Sequence, residues 1–484
     1  MYYPRVPMSE CEVVYFYKGN NERPLLLRQR SSQSFIVKTI ALSLFVDVFV
    51  YAMLVPILPT IIVSRSEVLF EECQYWNSAL LLSEAASTLI FSPIFGFFLS
   101  FPGSRQDLYF FGLVFLFGSM ALFTTAQSTP WFIGAKVLQG AATSMTTLAG
   151  MEILTDAVDK HHLGELFSYV GTAKSLGLMF GPPIGSMIFQ YGGFYAICGM
   201  AFGLIALDLV LRLAVIEKKV AARWITLPEY CPCKGHTYTS GYFSCETIFN
   251  RDQSRQRSDA GSSIAFFKLL GKPEIMISLW AVIIGGLVIS AFHTTLPIFV
   301  QHDLHWDTLN IGFIFIPLSF GALLHPFFAW ICERFGSRTI AFSSFVLLSP
   351  ALISLHLIEQ NTTLHKSIIY SLLAAVGLCL DICGQALLLE VQRALSGIET
   401  ENPGIFGKSG AIAQAFGLQT VAHFGGRVLG PIQGGFMSFA YGWKVMTLGL
   451  GVLALLTAVP MLWLSAGSKN RSDEDAERQP LLGA

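Results

Sequence analysis

The chain has 484 residues, 53% of them hydrophobic and only 13% charged, with a net charge of −1 and a mean hydropathy of +0.57. A soluble domain carries roughly 25% charge, so a string of soluble domains is excluded, and the absence of a basic excess excludes a nucleic-acid binder. Nine scattered cysteines do not make a disulfide framework, which leaves a polytopic membrane protein.

Residues 1–35 are polar, with Arg23, Arg28 and Arg30 ahead of the first apolar run. A cleavable signal would open on its apolar core, so this stretch reads as a cytosolic tail. Twelve largely apolar stretches follow, at 36–63, 76–99, 108–126, 131–155, 166–190, 194–215, 273–300, 309–331, 339–358, 366–389, 410–439 and 444–465. Each has about the 20 residues that a helix needs to cross a bilayer. Barrel strands alternate over about 10 residues, whereas these runs are continuous. The expected fold is an all-α membrane protein of twelve transmembrane helices in two six-helix halves, 36–216 and 273–465.

The segment 217–272 is rich in Ser, Thr, Arg and Gly and reads as a cytosolic linker. Cys231, Cys233 and His236 within it are too few, at the wrong spacing, for a metal site. Lys and Arg mark the cytosolic face. The linker holds Lys218, Lys219, Arg223, Lys234, Arg251, Arg255, Arg257, Lys268 and Lys272. Connections on the same side hold Arg105, Lys160, Arg334, Arg338, Arg393 and Lys408, against little beyond Arg65 and Lys366 opposite. Both tails, 1–35 and 466–484, then lie in the cytosol with the linker.

Two motifs recur between the halves. SPIFGFFLSFPGSRQ (92–106) follows the second stretch and HPFFAWICERFGSRT (325–339) the eighth. SLGLMFGPPIGS (175–186) in the fifth stretch matches GGRVLGPIQGG (425–435) in the eleventh. Parallel six-span repeats build one large class of transporter.

On these motifs the chain resembles the major facilitator superfamily. It is similar to the twelve-span drug:proton antiporter group, and within that to the fungal branch related to vesicular amine transporters. LFVDVFVYAMLVPILP (44–59) looks like that branch's first span. GFFLSFPGSRQ (96–106) has the spacing of the superfamily's loop motif, keeping Gly96, Gly103 and Arg105, but Ser100 replaces its Asp and Phe101 its usual base. The second-half copy carries Glu333 and Arg334 there. AKVLQGAA (135–142) resembles the span-four motif with Lys136 for Arg, and GTAKSLGLMFGPPIG (171–185) the antiporter motif with Gly177, Gly181, Pro182 and Gly185. The resemblance implies transport by rocking of the two halves, and the degenerate loop motif puts the usual gating contacts in question.

An ionisable residue inside a bilayer costs several kcal/mol unless it is paired or faces a cavity. Asp47, about eleven residues into the first span, is the candidate proton site, since a desolvated carboxylate holds its proton more readily. Lys136 is its coupling partner by resemblance. The alternatives are a permanent Asp47–Lys136 salt bridge, or a Lys136 that snorkels to the headgroups. Substrate-contact candidates are Asp381, Glu390, Arg427 and His293. Glu390 equally suits a solvated helix end. Arg427 suits a substrate carboxylate, or neutralises Asp381 or Asp47. Lys174, Glu84 and His325 are further intramembrane candidates. Glu152 and Asp156, four apart, read as a gate pairing with Arg105 or Lys160. Gly177, Gly181 and Gly185 present bare backbone on one helix face for close packing. Phe45, Phe49 and Tyr51 line a cavity or face lipid.

NPGIFGKS (402–409) falls short of a phosphate-binding loop, lacking its first Gly and a preceding strand. No nucleophile–base or metal constellation appears, so no enzyme and no cofactor is expected, and an ion gradient supplies the energy. The expectation is a proton-coupled antiporter exporting small lipophilic compounds, such as a drug, toxin or secondary metabolite. The alternatives are a vesicular loader or importer of an organic amine or anion, and a non-transporting sensor. The expected partners are a small-molecule substrate, protons and the bilayer, for a monomer. The plasma membrane is the default location. ERPLLL (22–27) and ERQPLL (477–482) resemble acidic dileucine signals that point to a vacuole or vesicle.

Overall fold

The computed structural model describes residues 27–66, 68–99, 104–158, 163–215, 272–358, 360–401 and 410–477, and among them every regular element is helical. The linker, both dileucine-like motifs apart from Leu27 and Glu477, and Gly103 lie outside the described residues.

Helix α1 (Gln33–Leu54) begins at Ser32, whose side chain accepts a hydrogen bond from the Phe35 amide and so satisfies a donor that the helix start leaves free. The expected first span is not one rod. Its helix stops at Val55, next to Pro56, which has no amide to donate, and α2 (Leu58–Ser66) resumes after a three-residue turn. The N-terminal half continues with α3 (Cys73–Leu99), α4 (Ser104–Thr125), α5 (Thr129–Ala157) and α6 (Leu163–Ala214). Arg30 donates to the carbonyls of Leu213 and Ala214, supplying donors to carbonyls left over at the end of α6.

The C-terminal half opens with α7 (Pro273–His302). The predicted 309–331 span is broken into α8 (Thr308–Phe313), α9 (Phe315–Ser319), a 3-10 turn (Phe320–Leu324) and α10 (His325–Phe335), with a 59° bend. It continues with α11 (Ser337–Ser354), α12 (Thr363–Glu401), α13 (Gly410–Gly430), a π-helical turn (Pro431–Phe436) and α14 (Met437–Glu477). Helix α12 runs twelve residues past the predicted 389, because Val391, Leu395 and Ile398 form an apolar stripe packed on Ile275 and Ala415. A hydropathy reading stops where the apolar run stops, but the helix goes on wherever one face still finds a partner.

Eight of the described helices are long and apolar enough to cross a membrane, or nine with the bent pair. Two of them, α6 and α14, each pass through a glycine with positive φ, Gly193 at 73° and Gly442 at 83°, with ψ near 180°. That conformation is essentially restricted to glycine, so each is two helices meeting at a corner, as the sequence predicted between 190 and 194 and between 439 and 444. Helix α5 has the length to span but carries too many polar residues to count by composition.

The internal repeat is a packing repeat. On α6, side chains at Gly177, Gly181 and Gly185 would meet Phe45, Ala52 and Met53 of α1; on α13 and its π turn, Gly426, Gly430 and Gly434 face Ile283, Ser290 and Ala291 of α7 in the same register. A Cβ at Gly185 would lie 2.4 Å from the Met53 carbonyl oxygen, and one at Gly434 2.4 Å from the Ala291 Cβ. Gly140 of α5 against the Glu84 carbonyl, and Gly377 of α12 against that of Leu318, repeat a second contact. These contacts bring backbones together, which in lipid replaces the hydrophobic drive that holds soluble helices.

Candidate functional site

The first helix carries a polar ladder. Thr39, Ser43, Asp47 and Tyr51 recur every four residues on α1 and are all buried. Four residues advance a helix by about 6 Å and return to nearly the same face. Asp47 is 4% exposed, and its Oδ1 accepts a hydrogen bond from the Thr143 hydroxyl of α5 at 2.9 Å. Lys174 of α6 lies within electrostatic range of Asp47. It is half-buried and forms no ion pair or hydrogen bond among the described residues.

The proposed Asp47–Lys136 bridge is absent. Lys136 is 1% exposed, so it does not snorkel either. Its ammonium donates to Gln139 Oε1 at 2.9 Å and sits 5.7 Å from the Tyr51 ring centre and 6.0 Å from that of Phe123. An amide oxygen and two aromatic faces replace the carboxylate that the sequence reading had offered it.

Arg427 does not neutralise Asp47 or Asp381. Its Nη2 donates to both carboxylate oxygens of Glu84, at 3.0 Å each, joining α13 of the second half to α3 of the first. The guanidinium also lies 4.6 Å from the Tyr51 ring centre. The Tyr51 hydroxyl in turn shares a hydrogen bond with His293 Nδ1 of α7 at 3.2 Å. Asp47, Tyr51, Glu84, Lys136, Lys174, His293 and Arg427 therefore form one polar centre between the halves. Toward the face on which the first span ends, assigned as outer by the charge bias, Gln74 and Asn77 donate to the Thr294 carbonyl and Gln301 to Thr60. Gly312 of α8 abuts Pro182 and Ser186 of α6 on the same side, so the Gly-Pro motif touches α1 through its glycines and the opposite half through Pro182.

Other predicted residues lie elsewhere. Glu390 is not part of this centre. It accepts from Arg338 Nε at 2.7 Å, Arg393 Nη1 at 3.3 Å and the Ser337 hydroxyl, and Arg338 also faces Glu274 at 3.6 Å, tying α7, α11 and α12 together at one end. Asp381 pairs with His325 at 3.6 Å, joining α12 to α10. Glu333 and Arg334 are exposed, with the Arg334 guanidinium 5.6 Å from the Trp330 ring centre. Gly96 has open space around it. Arg105 and Asp156 fall in helices α4 and α5, and their side chains lie outside the description, as does Lys160. Among the described residues no group of three or more His, Cys, Asp or Glu is placed to hold a metal.

Sequence reading missed Asp208, Arg212 and His423. Asp208 is fully buried in α6 and accepts a 2.6 Å hydrogen bond from the Ser43 hydroxyl of α1. The signal was present: Asp208 interrupts the apolar run IALDLVLRL as plainly as Asp47 interrupts LFVDVFV. His423 sits on α13 against Gly286 of α7.

Comparison with known proteins fits this architecture. The family model described as Major Facilitator Superfamily matches residues 40–396. The chain is 28% identical over 472 residues to the MFS-type transporter ppzB of Metarhizium rileyi, covering 91% of this chain and 96% of that one. It is 22% identical to the human synaptic vesicular amine transporter, over 78% of this chain and 64% of the relative. Among solved structures, the human organic anion transporter MFSD10 (TETRAN) aligns with a TM-score of 0.56 at 15% identity, covering 89% of this chain and 99% of that one. The nucleoside transporter NupG aligns at 0.60 and 12%, covering 88% and 99%. The repeated helix packing, the polar centre between the halves and the family match agree: the chain belongs to the Major Facilitator Superfamily and is a multi-pass membrane transporter, not an enzyme.

Proposed function

We propose that the protein is a proton-coupled antiporter that exports small lipophilic organic compounds by alternating access, with twelve crossings divided six and six. The observation that carries the reading is Asp47, a buried carboxylate at mid-depth that among the described residues touches no cation directly and is held by one hydroxyl. A carboxylate in that setting exchanges a proton at lower cost than one locked in an ion pair. Lys174, without a partner among the described residues, lies within electrostatic range of it, and Lys136, held among the described residues by an amide and two rings, belongs to the same polar centre. Protonation of Asp47 from the acidic side releases substrate, and deprotonation on the other side re-arms the site. No cofactor enters, and the protein works as a monomer. The plasma membrane is the proposed location, with a vacuolar or vesicular membrane as the alternative.

A second reading, transport of an organic anion or amine into a compartment, has its own support. The polar centre holds three cationic side chains, Lys136, Lys174 and Arg427, against the two carboxylates of Asp47 and Glu84, which favours an anion. The likeness to a vesicular amine transporter favours a cation. The test for both uses the purified protein in vesicles with an imposed pH gradient. Ethidium, carboxyfluorescein and Nile red serve as cationic, anionic and neutral probes, and proton flux is recorded. Flux that depends on a probe and is lost in Asp47→Asn is the expected result. Full gradient-driven transport in that variant refutes the role of Asp47, and the responding probe selects between the readings.

A further inference from the structure

Asp208 has no place in the mechanism above, yet it is fully buried in an apolar helix, where a structural carboxylate needs a cation. It has none. Arg212, four residues on, forms no ion pair with it, and its guanidinium lies 4.7 Å from the centre of the Tyr109 ring instead. The Asp208 Oδ2 takes the 2.6 Å hydrogen bond from Ser43, while its Oδ1 is buried without a partner among the described residues. The Tyr109 hydroxyl of α4 is likewise buried, with Ser43 as its neighbour and Asp208 within electrostatic range. A buried carboxylate oxygen ordinarily finds a partner, so the orphaned Oδ1 calls for an account. Ser43 is the rung of the α1 ladder directly below Asp47, and Asp208 and Asp47 lie within electrostatic range of each other.

We propose that Asp208 is a second proton carrier, which passes protons between the inner face and Asp47 through the hydroxyl of Ser43. The path rests on Asp47 being the coupling site. A proton arrives from the inner side onto Asp208 Oδ1. The protonated carboxyl turns so that its O–H meets Ser43 Oγ, and the Ser43 hydroxyl, which donates to Asp208 Oδ2 in this structure, turns toward Asp47 and gives up its own proton to that carboxylate as it takes the one from Asp208. One proton moves from Asp208 to Asp47, Ser43 is regenerated, and no electron pair changes owner beyond the O–H bonds broken and made. The step from Ser43 to Asp47 spans about one helical turn, about 6 Å, a gap that one bridging water closes. Four groups surround Asp208: Ser43 and Asp47 on α1, Tyr109 on α4, and Arg212 on its own helix. Arg212 holds the protonic charge off the inner end of the path, and Tyr109 adds a buried hydroxyl beside Ser43. On the outer side Gln74 and Asn77 tie α3 to the Thr294 carbonyl of α7, and the relay is drawn to the inner side, where Ser43 and Asp208 lie.

The test needs no substrate. The full chain in nanodiscs is subjected to a pH jump, and the carboxyl stretch of Asp47, assigned by its loss in Asp47→Asn, is followed by time-resolved infrared spectroscopy. In Asp208→Asn the Asp47 band reaches its wild-type amplitude at least ten-fold more slowly. Ser43→Ala, which leaves both carboxylates in place, slows it comparably. An Asp47 band that rises at the wild-type rate in both variants overturns the relay while leaving the coupling site intact. A protein in which no Asp47 band titrates overturns the coupling reading itself. If Asp208→Asn fails to fold, Ser43→Ala decides: an unchanged rate in it overturns the relay.

Discussion

The bond between Arg427 and Glu84 is a buried ion pair between the halves, and its worth follows from its geometry. At 3.0 Å and an effective dielectric of about 20, Coulomb attraction is about 5 kcal/mol. Desolvation offsets much of it, because Glu84 is 1% exposed. Removing one partner, however, leaves the other charge buried and alone, which costs about 3–5 kcal/mol. Arg427→Met and Glu84→Met are each expected to lose about that much stability. The double variant is expected to lie within about 2 kcal/mol of the parent, since apolar replacement of a whole buried pair is often neutral. Denaturant unfolding of the four proteins in detergent closes a double-mutant cycle, with a coupling above about 1.5 kcal/mol expected. Single effects that add within about 0.5 kcal/mol, the behaviour of independent sites, would refute the claim that the pair is a buried lock between halves.

Two further outcomes follow from packing and from the Glu390 network. Gly185→Ala and Gly434→Ala push a methyl to within 2.4 Å of fixed neighbours. Each is expected to cost about 1–3 kcal/mol by overpacking, whereas Gly96→Ala, in open space, should be neutral or slightly stabilising; thermal unfolding of the three separates them. Glu390→Gln weakens charge-assisted bonds from Arg338 and Arg393 and should cost about 1.5–3 kcal/mol without changing the KM of whichever probe is transported. A large KM shift at unchanged stability would return Glu390 to the substrate site.

The spans were legible in the sequence because hydropathy, length and loop charge each report the bilayer directly. Breaks in the spans were not: Pro56 and residues 311–324 lie in largely apolar runs, and apolarity does not distinguish a straight helix from a bent one. At the site, the identity of buried charges was legible for Asp47, Lys136, Glu84 and Arg427, because each interrupts an apolar run. Their partners were not, because pairing depends on how helices rotate about their axes. Lys136 and Asp47 share neither a bond nor a near neighbour in sequence. Arg427 found Glu84, 343 residues away, rather than either of the acids considered for it. Asp208 shows a different failure, since the rule that selected Asp47 applies to it unchanged.

The repeat explains why these charges carry direction. Gly177, Gly181 and Gly185 recur 249 positions on at Gly426, Gly430 and Gly434, and the α1 contacts recur on α7 238 positions on, with Met53 matching Ala291. In that register the place of Asp47 is taken by Gly285 and that of Lys174 by His423, while Arg427 matches Leu178. The two halves therefore share a scaffold but not its chemistry. Both carboxylates of the polar centre, with Asp208 beneath them, belong to the first half, and the second half contributes Arg427 and His293. A rocking motion that parts the halves separates Glu84 from Arg427 but leaves Asp47, Ser43 and Asp208 together, since all three stand on helices of one half. On the proposed mechanism, the proton path then stays intact through the cycle while the lock between the halves opens and closes.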